Sequence, residues 1–185
     1  MIIGIVGKRL TGKNEIAEYL SLKYGFHVLD YTKNVLAPLL KKEKKAITRE
    51  NLINLAMELR EEYGNDILTR MIAEHIKRDK NYVIAGVRFR EEVEFLKKAF
   101  GNGFVLIAVD SEPKLRYERA KKRKTKGEGS LSFNRFFKID RLPTERVIPE
   151  TMKLADFLIE NNGTIEELRK KTDSVMEKIT DNKPF

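Results

Sequence analysis

Gly7-Lys8-Arg9-Leu10-Thr11-Gly12-Lys13 lies between an apolar run, Ile2-Ile3-Gly4-Ile5-Val6, and a stretch of helical character through Glu15, Ala17, Leu20 and Leu22. The apolar run is short and rich in β-branched side chains, which predicts a buried strand. Two glycines with four residues between them, the second followed by lysine, form the phosphate-binding loop pattern. Glycine lets the backbone approach an anion and take positive φ where the turn needs it. The unpaired N–H groups at the start of the helix, the helix dipole and the Lys13 ammonium then converge on a polyphosphate. Gly7, Lys8, Arg9, Leu10, Thr11, Gly12, Lys13 and Asn14 are the residues expected to hold it. The pattern departs at Asn14, where a Ser or Thr hydroxyl usually binds Mg²⁺. An amide oxygen can ligate Mg²⁺ or hold one of its waters, but matches a hard cation less well. The competing reading is a glycine-rich strand-to-helix turn with a surface lysine.

The chain has 185 residues, 41% of them hydrophobic, enough for one domain with a sizeable core. No run approaches the length of a membrane span, and the chain opens on a strand without the shape of a signal peptide. With no cysteine there is neither a disulfide framework nor a thiolate metal site, so a cytoplasmic location is expected. His27 and His75 are the only histidines, which argues against zinc. Charged residues make up 35%, a surface common in heat-adapted proteins. The net charge of +9 invites a nucleic-acid reading. The excess is uneven, however, peaking at Lys41 to Lys45 and at Arg116 to Lys126, where it suits an anionic small molecule. No motif that reads RNA or DNA accompanies it.

Along the chain, Phe26 to Asp30 reads as a strand ending in a carboxylate, and Tyr31 to Leu40 as a helix. Thr48 is a fitting N-cap for a helix ending near Gly64, and a further helix spans Asp66 to Lys77. Asn81 to Ala85 reads as the third strand, with Gly86-Val87-Arg88 turning out of it. Glu91 to Ala99 is helical, Phe104 to Val109 a fourth strand, and Pro113 opens the next helix. Thr125 to Ser130 has the composition of a mobile segment, and Leu131 to Ile139 and Glu145 to Leu154 read as helices. Phe157 to Ile159 is the fifth strand, and Thr164 caps a closing helix to about Thr180. Five short apolar strands separated by helices predict an α/β fold with a parallel sheet covered on both faces. Ligands collect at the carboxyl ends of such strands, which places Gly7, Asp30, Arg88 and Asp110 along one edge.

Several segments carry a resemblance: Gly7 to Lys13, Leu55-Ala56-Met57-Glu58-Leu59-Arg60-Glu61-Glu62-Tyr63-Gly64, Gly86-Val87-Arg88 with Glu91-Glu92-Val93, and Pro113 to Arg119. Asp140-Arg141 and Ala155 to Thr164 complete it. On these the chain resembles the nucleoside monophosphate kinase group, closest to the archaeal adenylate-kinase-related family and next to dephospho-CoA kinase. The resemblance implies a three-layer P-loop kinase fold over residues 1–185, with sheet order 2-3-1-4-5. It also implies an acceptor-binding helical region at about 31–80 and a helical lid at about 116–141. ATP as co-substrate, Mg²⁺ and a nucleotide-like phosphate acceptor follow from it. Relatives usually carry Asp where this chain has Ala85. With Asn14, that leaves the ion to Asp30 and phosphate oxygens, or leaves a nucleotide-binding protein without transfer activity.

Phosphoryl transfer needs positioning and charge neutralisation. Lys13 is expected on the β- and γ-phosphates. Asp30 is expected to hold Mg²⁺ or orient the acceptor oxygen, as an Asp at the matching position does in dephospho-CoA kinases; the alternative is a strand-terminal capping role. Arg88 stands where related kinases place an arginine on the acceptor phosphate, and a guanidinium grips phosphate with two parallel bonds. A surface salt bridge is its alternative, and an exposed charge network is that of Arg60. Arg116, Arg119 and Arg123 share a helix face and, with Arg135 and Arg141, are expected to close over the triphosphate. Arg116 and Arg119 would bind the nucleotide, and Arg119 and Arg141 would stabilise the transferring group. Phe133, Phe136 and Phe137 read as lid packing, Lys41 to Lys45 as a solvated loop, and the two histidines as structural.

Overall fold

The computed structural model describes residues 1–122 and 132–181. Arg123 and the Thr125–Ser130 segment expected to be mobile lie outside the described residues.

Five parallel strands form one sheet: β1 (Ile2–Val6), β2 (His27–Leu29), β3 (Tyr82–Val87), β4 (Phe104–Asp110) and β5 (Phe157–Glu160). Their spatial order is β2-β3-β1-β4-β5, so the phosphate-loop strand sits in the middle, between β3 and β4. Side chains of a strand alternate between faces, and two separate cores result. Ile2, Val6, Leu106 and Ala108 face one side, packed with α3 (Arg49–Tyr63), α4 (Ile67–Ala73) and α5 (Arg90–Phe100) through Leu55, Leu68, Ile72, Val93 and Leu96. Ile3, Ile5, Ile107 and Val109 face the other, under α1 (Lys13–Tyr24) and α10 (Ile165–Asp181) through Ile16, Leu20, Leu168 and Met176. Burial on both faces explains why these strands are continuous apolar runs. The expected caps are in place: Thr48 Oγ1 accepts from Asn51 N at 3.1 Å and Thr164 Oγ1 from Glu167 N at 3.2 Å.

Four segments differ from the sequence expectation, each for a local reason. The stretch after Tyr31 is a π-helix over Thr32–Leu36 that passes into α2 (Ala37–Lys42). Pro38 has no N–H to give the carbonyl four residues back, and the turn before it is wider. α4 ends at Ala73, well short of Lys77, because His75 and Ile76 donate three residues back, to Ile72 and Ala73, and the chain tightens out of the helix. β3 runs on through Val87, so Gly86 is not a turn. The register shifts between Ile5 and Val6, Val87 pairs with Val6, and Gly86 takes φ +104° as the inserted residue of a bulge. The single helix expected over 145–154 is two, α8 (Pro143–Arg146) and α9 (Ile148–Met152). Pro149 lacks the N–H that would join them.

α6 (Pro113–Lys122) follows β4, and α7 (Phe133–Ile139) begins at a Ser132 cap. Tyr117 of α6 meets Phe133 and Phe136 of α7 edge-on, at centroid distances of 5.2 and 5.6 Å, so the phenylalanines are packing, as expected.

Candidate active site

The loop between β1 and α1 is held by close contacts that only glycine permits. A Cβ on Gly7 would collide with the Val109 carbonyl of the neighbouring strand. A Cβ on Gly12, which sits at φ +104° as the residue before α1, would collide with the Asn161 amide. Leu10 also lies in the left-handed region, at φ +63°.

Side chains from four directions fasten the loop's carbonyls. Lys13 Nζ donates to the Gly7 and Lys8 oxygens, both at 2.6 Å, and Thr11 Oγ1 donates to Lys8 O at 2.9 Å. Arg116 Nη1 reaches Arg9 O at 3.4 Å, Arg119 Nη1 reaches Leu10 O at 3.2 Å, and Asn161 Nδ2 reaches Thr11 O at 2.8 Å. Each carbonyl from Gly7 to Thr11 thus accepts a side-chain bond. In a trans peptide the carbonyl and the following N–H point opposite ways, so the N–H groups of Lys8 to Gly12 point away from these donors. Burial brings the Lys13 ammonium down from 10.5 to about 8. The Glu145 carboxylate opposes that shift, while Arg88 and Arg116 add to it.

Arg116 is almost wholly buried and pairs with Asp140 at 2.7 Å; Lys8 stands 3.9 Å from the same carboxylate oxygen. The Arg9 guanidinium lies over the Phe136 ring, 4.7 Å from its centroid. Arg119 donates further to Ser111 Oγ at 3.0 Å and Asn161 O at 2.9 Å, and burial lowers its pKa. Arg116 and Arg119 therefore meet the phosphate loop, as a shared helix face requires, but on its carbonyls. The Arg141 side chain is exposed and makes no hydrogen bond or ion pair with a described residue.

Arg88 stands at the end of β3. Its N–H donates to Glu92 Oε2 at 2.7 Å, its carbonyl accepts from Thr151 Oγ1 at 2.7 Å, and Nη2 meets Glu145 Oε1 at 3.3 Å. Glu92 is fully buried, and its other oxygen meets Arg60 Nη2 at 3.5 Å. Burial pushes the Glu92 carboxyl up, while the Arg88 and Phe89 N–H groups and the Arg60 charge hold it down. One carboxylate so links Arg60 and Arg88, and Arg60, with 11% side-chain exposure, is no surface network.

Asp30 Oδ1 accepts from Lys33 N at 2.8 Å, the capping role, which leaves Oδ2 without a hydrogen-bond partner among the described residues. Asn14 is exposed at the first turn of α1. Among the described residues no group of three or more His, Asp or Glu is placed to hold a metal ion. Such a donor set fits Mg²⁺ only as the partner of bound phosphate, with one or two side chains and water completing its shell.

An open cleft of about 570 Å³ borders the loop, lined by Lys8, Asp110, Ser111, Arg116, Met152 and Asn162 among others. Asp110, Pro149 and Met152 also line a second cleft of about 440 Å³ that extends toward Phe157 and Leu158.

Over 178 residues the chain is 36% identical to the UPF0200 protein of Sulfurisphaera tokodaii, covering 96% of this chain and 97% of that one. It belongs to the UPF0200 family. The UPF0200/UPF0201 protein of Archaeoglobus fulgidus is 34% identical over 189 residues, 98% of this chain but 56% of that protein, so this UPF0200 chain spans about half of that relative. No protein-family model matches it. Among solved structures it resembles shikimate kinase from Bacteroides thetaiotaomicron, with TM-score 0.62 and 12% identity over 96% of this chain and 98% of that one. That likeness is one of fold, and the fold is that of P-loop kinases.

Glu145, Asp140, Glu92 and Asn161 are the site residues whose roles the sequence concealed. Asn161, Asp140 and Glu92 lie in segments that carry the family resemblance, which does not state what they bond. Glu145 has no signal at all, being one carboxylate in a polar stretch.

Proposed function

We propose that this UPF0200 protein is an ATP-dependent small-molecule kinase that transfers the γ-phosphoryl group to a nucleotide or nucleotide-like acceptor. The observation that carries this is the loop whose carbonyls are tied back by Lys13, Thr11, Arg116, Arg119 and Asn161. It offers N–H groups, a helix start and an ammonium to a polyphosphate. Lys13 exchanges its two carbonyls for phosphate oxygens when nucleotide enters. Arg88, partly exposed and fixed at its backbone, takes the anionic group of the acceptor, with Arg60 behind it on Glu92. Segment 116–141 serves as the lid: Arg119 is already in contact with the loop, Arg141 joins on closure, and water is excluded from the transfer. Asn14 and Asp30 Oδ2 would hold Mg²⁺ or its waters, and the ion would neutralise charge on the phosphates. Region 31–80 shapes the acceptor pocket.

The test is ADP production from Mg·ATP over ribo- and deoxynucleoside monophosphates, dephospho-CoA and phosphomevalonate, with Lys13→Ala as control. Turnover with one acceptor, lost in the control, is the expected result. ATP binding without turnover on any acceptor would favour a second reading, a nucleotide-binding protein without transfer activity. The exposed Asn14 and the uncharged Ala85 speak for it.

A further inference from the structure

We propose that Glu145 is the positioning residue of the acceptor side: a buried carboxylate of α8 that aims the Arg88 guanidinium. This rests on the kinase reading above. Glu145 lies in α8, directly after residues 116–141, and its side chain is 7% exposed. Oε1 pairs with Arg88 Nη2, while Oε2 is buried with no hydrogen-bond partner among the described residues. A buried carboxylate satisfied on one side only is a burden on stability, so its presence calls for more than a structural role.

Two further observations say what that role is. The Arg88 backbone is already pinned on both sides, by Glu92 at its N–H and by Thr151 at its carbonyl. Glu145 is therefore not needed to place the end of β3. The Arg88 side chain is 42% exposed, so water can neutralise it without a protein partner. What Glu145 adds is a direction: it holds one edge of the guanidinium and leaves the remaining donors of its fork for an anion.

Calorimetry on the full chain tests this, with ATP as the donor-side probe and AMP and dephospho-CoA as acceptor-side probes. Glu145→Gln is expected to weaken the acceptor-side probe that wild type binds by about tenfold. Glu145 also supports the Lys13 ammonium, so ATP binding is read at pH 6, well below the Lys13 pKa, where its affinity should not fall with this variant. Glu145→Asp, which keeps the charge, should recover most of the loss. Arg88→Gln should show at least the same loss, and adding Glu145→Gln to it should cost nothing more, because one residue acts through the other. An unchanged Glu145→Gln, an equal loss of ATP, or additive losses in the double variant would each overturn the positioning role. Wild type that binds ATP but neither acceptor probe overturns the acceptor-side placing of Arg88 and this proposal with it. Wild type that does not bind ATP sinks the kinase reading itself, a result visible before any variant is made. Should Glu145→Gln fail to fold, Glu145→Asp decides with Arg88→Gln: the small residual loss left by the shorter side chain must fall on the acceptor probe, spare ATP and vanish in the Arg88→Gln background, and no loss, or one that persists there, overturns the role.

Discussion

Lys13 is protonated in the empty protein only up to about pH 8, because burial against the loop favours its neutral form. A polyphosphate reverses that preference, since a nearby anion stabilises the ammonium. Below about pH 8 binding then needs no proton, and ATP affinity should be flat. Above it the empty protein must take up a proton to bind. Affinity should fall about tenfold per pH unit until the pKa of the bound form is reached. Calorimetry at pH 7 and pH 8.8, in two buffers of different ionisation enthalpy, reads this directly as proton uptake at the higher pH alone. Equal affinity at both pH values, with no proton uptake, would show that the Lys13 charge is not what holds the phosphates. Lys13 was legible from the loop spacing alone. Its depressed pKa was not, because the burial that lowers it is a product of the whole fold, and the Arg88, Arg116 and Glu145 charges that adjust it come from parts of the chain far away in sequence.

At the scale of elements, α6 is the brace of the loop, and beside the Tyr117 contacts with α7 a buried ion pair ties it to Asp140, just after α7. Arg116 and Asp140 have 3% and 6% side-chain exposure, and Arg116 Nε and Asp140 Oδ1 have no hydrogen-bond partner among the described residues. Removing one member of a buried pair strands the other charge, at a cost of about 3–5 kcal/mol. Asp140→Ala is therefore expected to lower the melting temperature by roughly 10 °C. Replacing both partners by apolar residues, Arg116→Met with Asp140→Leu, should recover most of that, as removed pairs often do. A fall of less than about 2 °C in the single variant would mean the pair is not closed to water. The shared face of Arg116 and Arg119 was readable from their spacing of three. Periodicity names a face but not what it meets: in this structure that face meets the Arg9 and Leu10 carbonyls. The Gly86 bulge and the break at Pro149 have the same origin: glycine and proline mark an irregularity, and the partner strand or helix decides which kind.

For the whole molecule, the strand count, the parallel sheet and the edge where ligands collect follow from apolar runs alternating with helices. The strand order came from the family resemblance, because no local pattern states which strands are neighbours. The same limit applies to the charge of +9, which is a property of the surface and says nothing of its partner until the site is seen. A ligand that binds only the folded chain stabilises it by mass action, by about 2.7 kcal/mol at a hundred times its Kd. For a chain of this size that is roughly 5–11 °C in melting temperature. Saturating Mg·ATP should produce such a shift, and Lys13→Ala should abolish it. A nucleic-acid ligand would behave otherwise: its effect would come from many phosphate contacts and fade steeply between about 50 and 200 mM salt. Melting the protein with Mg·ATP and with a single-stranded RNA, each at both salt concentrations, separates the two. A shift with ATP that survives the higher salt is what a built phosphate site requires. A shift with RNA alone, lost on adding salt, would mean that the surface charge and not the loop selects the ligand.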